Sequence, residues 1–329
     1  FFGDPRGDSR VSNFSKIVNQ SYSEQAYIPG GTAVYGMNLD TAALEFKTTL
    51  RALQQTNQKY CDPIFPPAMQ SILGNSKSLP YANWERAEWR RLQDMMPALL
   101  PEKLLWGDEG PLPDDVQQGE LGNCYVMSAL IGLATVPERI KKLFHIKYLR
   151  EGARAGLYCV FLCVSGVWNE ILLDDYFPVY PESGKFIFCR PTAKGKCWPL
   201  FIEKAWARVM GGYCNTVAGT CMEALHTVTN SPTRNYKLSI NKQAECLGAI
   251  LNAEGRRYPI TCSSGDIADE QKVGILHAHA YTVVGASFLE VVEGGFKPLK
   301  NRPNPIDLNK YICIVKLRNP WADRDNWAG

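Results

Sequence analysis

The sequence predicts an α+β protein of two lobes, and two observations carry that prediction. Helical patterns cluster early in the 329 residues and strand patterns late. The composition, 45% hydrophobic and 21% charged, is that of an ordinary globular chain long enough for one large or two mid-sized cores.

Residues 1–58 read as a lead-in segment, rich in Gly, Ser, Asn and Gln and carrying one helical stretch, TAALEFKTTLRALQQTNQ. An Arg-Gly-Asp at residues 6–8 is read as incidental. The character changes at KYCDPIFPPAMQSILGN, where Pro-rich turns precede Trp84, Trp89 and Trp106, side chains that need a core to pack on. A first lobe is therefore expected over 59–230. Within it, QQGELGNCYVMSALIGLATVPERIKKLF (117–144) passes from a polar, glycine-bearing loop into helix formers. GLYCVFLCVSGVWNEILLDDYFPVY reads as two strands joined at Ser165-Gly166, because β-branched and aromatic residues dominate it. Trp198, Phe201, Ile202, Ala205, Trp206, Val209 and Met210 recur at helical spacing, with Pro199 near the start and Gly211-Gly212 as the stop. A second lobe is expected over 231–329, with a short helix in QAECLGAILNAEG followed by strands, the clearest being HAHAYTVVGASF and YICIVKLRNPW.

Bulk properties exclude several classes. A net charge of +3 without a run of Lys and Arg gives no footprint for nucleic acid or a membrane surface. No apolar stretch is long enough to span a bilayer, and the N-terminus lacks a secretory pattern. Because the chain begins at Phe1 rather than Met, removal of an upstream segment is expected. Eleven cysteines, an odd number with no dense framework, fit a reducing, cytoplasmic setting. Zinc is not expected, since no C-x-x-C pair occurs and His145, His226, His277 and His279 do not combine with cysteines at finger spacing.

Most of these cysteines should be small buried hydrophobes. Cys124 differs in position. Asn123 is a favourable N-cap, so the thiol should sit in the first turn of the following helix. There the exposed amides and dipole favour negative charge by roughly 0.3–1 kcal/mol, which suits a nucleophilic thiolate. A cysteine nucleophile also needs a base, a group that orients the base, and donors for the oxyanion. His279, on a strand, and Asn319, at a strand end, are the candidates. His277, His279 and Tyr281 share one face of a strand, and alternation does not choose between the histidines. Asn319 before Pro320 also reads as a turn, and Gln118 in isolation as a solvated loop residue.

Four blocks resemble the calpain-type cysteine proteases. QGELGNCY is similar to the family's Q-G-x-L-G-[DN]-C-[WY], FIEKAWARVMGGY to its L-E-K-A-[YW]-A-K-x-x-G-x-Y helix, HAY to its histidine block and LRNPW to its R-N-P-W-G block. They run in order from about residue 59 onward. The resemblance implies a papain-like core with the nucleophile Cys124 on the first lobe and, on the second, His279 as base and acid and Asn319 to orient it. It further implies Gln118 and the Cys124 N–H as oxyanion donors, Trp321 as a shield over the His–Asn hydrogen bond, and Gly219 as a backbone partner for substrate. Ala278 stands where the family has Gly, adding a methyl beside the substrate path, and Ala322 likewise replaces a Gly in WADRDNWAG. The family's second lobe continues further, so a truncated second lobe and regulatory domains elsewhere are expected.

By the same resemblance no cofactor is needed for the chemistry, and calcium is the one metal implied. Its first-lobe ligands would fall on Gly110 and Asp115, with Lys196 standing where the family has an acidic ligand. A lysine there should pair with Asp115 and preclude tight calcium binding; the alternative is that Lys196 is solvated and Glu203 or Asp114 supplies the ligand. The functional expectation is an intracellular endopeptidase acting on polypeptides through an acyl-thioenzyme. The alternatives are an inactive scaffold of the same fold, and an acyl-transferring transglutaminase, which would use Asp rather than Asn319.

Overall fold

The computed structural model describes residues 44–192, 194–238, 243–265, 274–303 and 310–322. The Arg-Gly-Asp at 6–8, most of the lead-in segment and the DRDNWAG end lie outside the described residues. In chain order the helices are α1 (Leu44–Thr56), α2 (Met69–Leu73), α3 (Leu92–Met95), α4 (Cys124–Ala134), α5 (Pro137–Lys141), α6 (Leu149–Arg154), α7 (Trp198–Met210), α8 (Cys221–Thr229) and α9 (Gln243–Gly255). The strands are β1 (Glu88–Arg91), β2 (Leu157–Val164), β3 (Val167–Asp174), β4 (Tyr176–Val179), β5 (Ile260–Ser263), β6 (Ala280–Val292), β7 (Gly295–Pro298) and β8 (Tyr311–Arg318).

Helix α4 is the axis of the helix-rich half. Every side chain from Tyr125 to Ala134 is buried, as expected of a helix that is apolar all round. Helix α7 ends where Gly211 takes a left-handed φ of 80°, a conformation that glycine reaches without a Cβ clash. The expected hairpin forms, β2 pairing β3 through the Ser165-Gly166 turn. Its tail is not part of β3: the chain breaks at Asp175, and β4 turns away to pair with β1. In the later half β6 is the spine of a four-stranded antiparallel sheet, flanked by β5, β7 and β8. The sheet packs directly on α4, where Thr282 Oγ1 donates to the Ser128 carbonyl at 2.7 Å. A Cβ on Gly132 would come 3.1 Å from Pro259, so a larger residue there would push the sheet and helix apart by a few tenths of an ångström.

Buried charges fasten α7 to this frame. Lys204, fully buried, is paired with Asp174 and also donates to the Tyr176 carbonyl at 2.7 Å. The second Asp174 oxygen accepts the Asp62 N–H at 2.7 Å. Asp62 in turn accepts from Arg208 Nε at 2.8 Å and from the amides of Ile64 and Phe65. One helix is thereby tied to the β3–β4 corner and to the segment around residue 62. Removing one member of a buried pair leaves an uncompensated charge, which costs about 3–5 kcal/mol. Lys204→Met should therefore lower the unfolding free energy by that amount in urea titrations at neutral pH, with the m-value unchanged; a loss below about 1 kcal/mol, the worth of a surface pair, would refute this reading of the cluster.

Candidate active site

Three segments converge beside the N-terminus of α4. The first is the loop ahead of Cys124. Gly119 lies so close to the Phe188 carbonyl that an added Cβ would meet its oxygen at 1.9 Å, which explains a glycine in this place. Gln117 O accepts the Arg190 N–H at 2.9 Å, and Gln118 O accepts from Arg190 Nη2 at 2.9 Å. The Gln118 N–H donates to the Pro320 carbonyl at 2.9 Å, joining this loop to the residue after Asn319.

Asn123 occupies the N-cap position of α4, but the expected side-chain cap is absent. Its amide donates instead to Glu203 Oε1 at 2.8 Å. The other Glu203 oxygen accepts the Cys189 N–H at 2.9 Å. Without water, burial raises the Glu203 pKa to about 7, while these two donors pull the other way. Cys124 is largely enclosed, and burial pushes its thiol above the usual value; the backbone N–H groups of Ala280, Tyr125 and Cys124 itself oppose that shift. The thiol thus lies against the residue that follows His279.

His279 is not on the strand. β6 begins at Ala280, and Ala278 has φ 48°, so the strict alternation that would put both histidines on one face fails at Ala278. His277 is exposed, whereas His279 is buried. Ser264 grips the histidine backbone from β5's end, exchanging His279 N–H to Ser264 Oγ at 3.0 Å and Ser264 N–H to His279 O at 2.9 Å. The imidazole Nε2 is 2.8 Å from Asn319 Oδ1. A carboxamide oxygen only accepts, so Nε2 carries a hydrogen, and in the neutral imidazole Nδ1 then keeps its lone pair. Asn319 Oδ1 also accepts the Trp321 N–H at 3.1 Å, and the Trp321 ring packs 5.0 Å from the imidazole centroid while remaining 38% exposed.

The other expected residues fall as follows. Gln118 is buried, and its side-chain amide donates to the Leu121 carbonyl at 2.7 Å, which uses one of its two hydrogens. Gly219 lies against Tyr125, and an added Cβ would come 2.5 Å from the ring. Ala218 N–H donates to Gly122 O at 3.0 Å, holding this strip along the cysteine loop. Ala218, Ala278 and Ala322, which flank Gly219, His279 and Trp321, all have positive φ. Lys196 is buried rather than solvated; its ammonium is 3.5 Å from Asp115 Oδ1 and 3.1 Å from Gly110 O. Glu203 is engaged by Asn123 and Cys189, and Asp114 pairs with Arg318. Sequence reasoning missed Arg190 and Ser264, and weighed Glu203 only as a ligand. A charged residue on the apolar face of α7 was the one signal that could have marked it as a partner for the cysteine loop.

A family model described as calpain family cysteine protease matches residues 60–329. Among curated proteins, calpain-A of Drosophila melanogaster is 24% identical over 87% of this chain and 32% of its own length. Calpain of Schistosoma mansoni is 25% identical over 94% of this chain and 38% of its own length. The mouse calpain-1 catalytic subunit is 26% identical over 85% and 37%. The chain spans about a third of the length of the curated relatives it matches.

Glu203 sets a pH dependence. Its folded pKa of about 7 lies above the ordinary 4.5, so the folded state holds a proton that the unfolded chain releases first. Its contribution to stability is complete below pH 4.5 and is lost as pH rises through about 7. In urea titrations across that window, Glu203→Gln should flatten the decline; an unchanged slope in the variant would show that Glu203 is ionised throughout.

Proposed function

The chain belongs to the calpain family of cysteine proteases, and we propose that Cys124, His279 and Asn319 carry out peptide-bond hydrolysis in it. We read residues 59–230 and 231–329 as the two lobes of the protease, after a lead-in segment at 1–58. Polypeptides are the substrates of this reading, the cytoplasm is its setting, and regulatory domains accompany the core in the whole protein. No helix among the described residues is long and apolar enough to cross a membrane.

The observation that carries the reading is the His279–Asn319 hydrogen bond beside the enclosed thiol. Burial raises the pKa of the Cys124 thiol, so a base beside it is needed to take its proton. With Nε2–H committed to Asn319, Nδ1 of His279 is the base. The sulfur attacks the peptide carbonyl, and the oxyanion receives the Cys124 N–H together with the second amide hydrogen of Gln118. Collapse expels the amine, which takes the proton from His279 and leaves a thioester on Cys124. Water then attacks the thioester with His279 again as base, releasing the acid and restoring the thiol. Trp321 covers the imidazole on one side, and excluding water there strengthens the bond to Asn319.

An irreversible epoxide inhibitor of thiol proteases should attach to Cys124, and Cys124→Ala should abolish both labelling and cleavage. An adduct on another cysteine with Cys124 untouched would end this reading. Asn319→Ala should lower kcat by roughly 10²- to 10⁴-fold, the span of a general base's contribution, while KM changes little. A variant with unimpaired kcat would remove Asn319 from the mechanism.

A further inference from the structure

The loop that leads to Gln118 is held by a lysine. Lys196 reaches from the turn before α7 into the 109–115 loop, where its side chain is buried. Three oxygens surround its ammonium, two from carboxylates and one from a backbone carbonyl. Glu109 Oε2 is at 3.0 Å, the Gly110 carbonyl at 3.1 Å and Asp115 Oδ1 at 3.5 Å. The remaining Asp115 oxygen accepts from Trp198 Nε1 at 2.8 Å and from the Leu112 N–H at 2.7 Å. Glu109 also accepts from Lys194 at 2.6 Å, and those lysines hold its carboxyl below the usual range. The Glu109 and Asp115 carboxylates and the Gly110 carbonyl are therefore already in use.

A calcium ion does not fit this arrangement. It takes six to eight oxygens at about 2.3–2.6 Å, whereas three face this point and a positive charge sits among them. Among the described residues no group of three or more His, Cys, Asp or Glu side chains could hold a metal.

The same loop runs without interruption into the candidate site. From Asp115 the chain passes through buried Val116 to Gln117, fixed by Arg190, and to Gln118, bonded to Pro320. Lys196 fixes one end of this strip, and Arg190 and Pro320 fix the other. We propose that Lys196 is a covalently supplied cation that does the work of a divalent ion in this loop, acting as a positioning residue for Gln118 and making this half of the protein independent of calcium. The proposal rests on the protease reading for its kinetic consequence alone.

Wild-type protein and the variants Lys196→Gln, Lys196→Glu and Asp115→Asn are to be compared by thermal melting and peptide cleavage, each in calcium chloride and in chelator. The melting temperatures of wild type and Asp115→Asn should respond identically to calcium. Lys196→Gln should lose about tenfold or more in kcat with KM little changed, as expected when an oxyanion donor is misplaced. Lys196→Glu should melt several degrees higher in calcium than in chelator and recover kcat with it. The proposal is overturned by a Lys196→Gln protein with wild-type kcat, by a calcium-dependent rise in wild-type melting that Asp115→Asn abolishes, or by a Lys196→Glu protein indifferent to calcium. If the wild type cleaves nothing, the protease reading fails, and the melting comparison still decides whether the loop is a cation site.

Discussion

The hydrogen bond from Asn123 to the buried carboxyl of Glu203 is the contact on which the approach to the thiol depends. A carboxyl sealed from water is tolerated only with its oxygens occupied, and both partners come from the site's own walls. Asn123 precedes Cys124; Cys189 precedes Arg190, which clamps Gln117 and Gln118. One side chain on α7 thus holds two of the segments that meet beside the thiol. The adjacent Lys204 turns the other way, into Asp174, so consecutive residues on a single turn of helix bind the site to the scaffold.

Much of this was legible from residue pattern. The α7 stripe, bounded by Pro199 and Gly211, and the α9 segment were readable because their apolar spacing and end signals agree with the packing they enter. The hairpin was readable up to Asp174. What escaped were β1, β4, β5 and β7, each four residues long, too short for alternation to register. Glu88–Arg91 is mostly charged, and only its remote partner at Tyr176–Val179 makes it a strand.

Around the site, local rules failed where tertiary partners outbid them. Asn123 gives up its capping role to Glu203, whose carboxyl is sealed inside the core and needs a donor more than one orphan amide at a helix end does. The choice between His277 and His279 could not be made from a period of two, because the backbone turns at Ala278 before the strand begins. The position of Lys196 came from family resemblance; its burial and its three oxygen partners required the fold. The link between the halves, Gln118 N–H to Pro320 O, joins two loops that no periodicity relates.

The three alanines at positive φ invert the usual relation between accessibility and mutational tolerance. Ala218 and Ala278 are exposed, and by surface area alone they would accept almost any side chain. Left-handed backbone costs a non-glycine residue about 1–2 kcal/mol, and a β-branched side chain is a steric outlier there. In a saturation library these rims should therefore be selective filters, enriching Gly, Asn and Asp and rejecting Val, Ile and Thr although nothing packs them tightly. The boundary of the candidate site is written in torsion angles as much as in side chains, and sequence drift around it is channelled by the backbone.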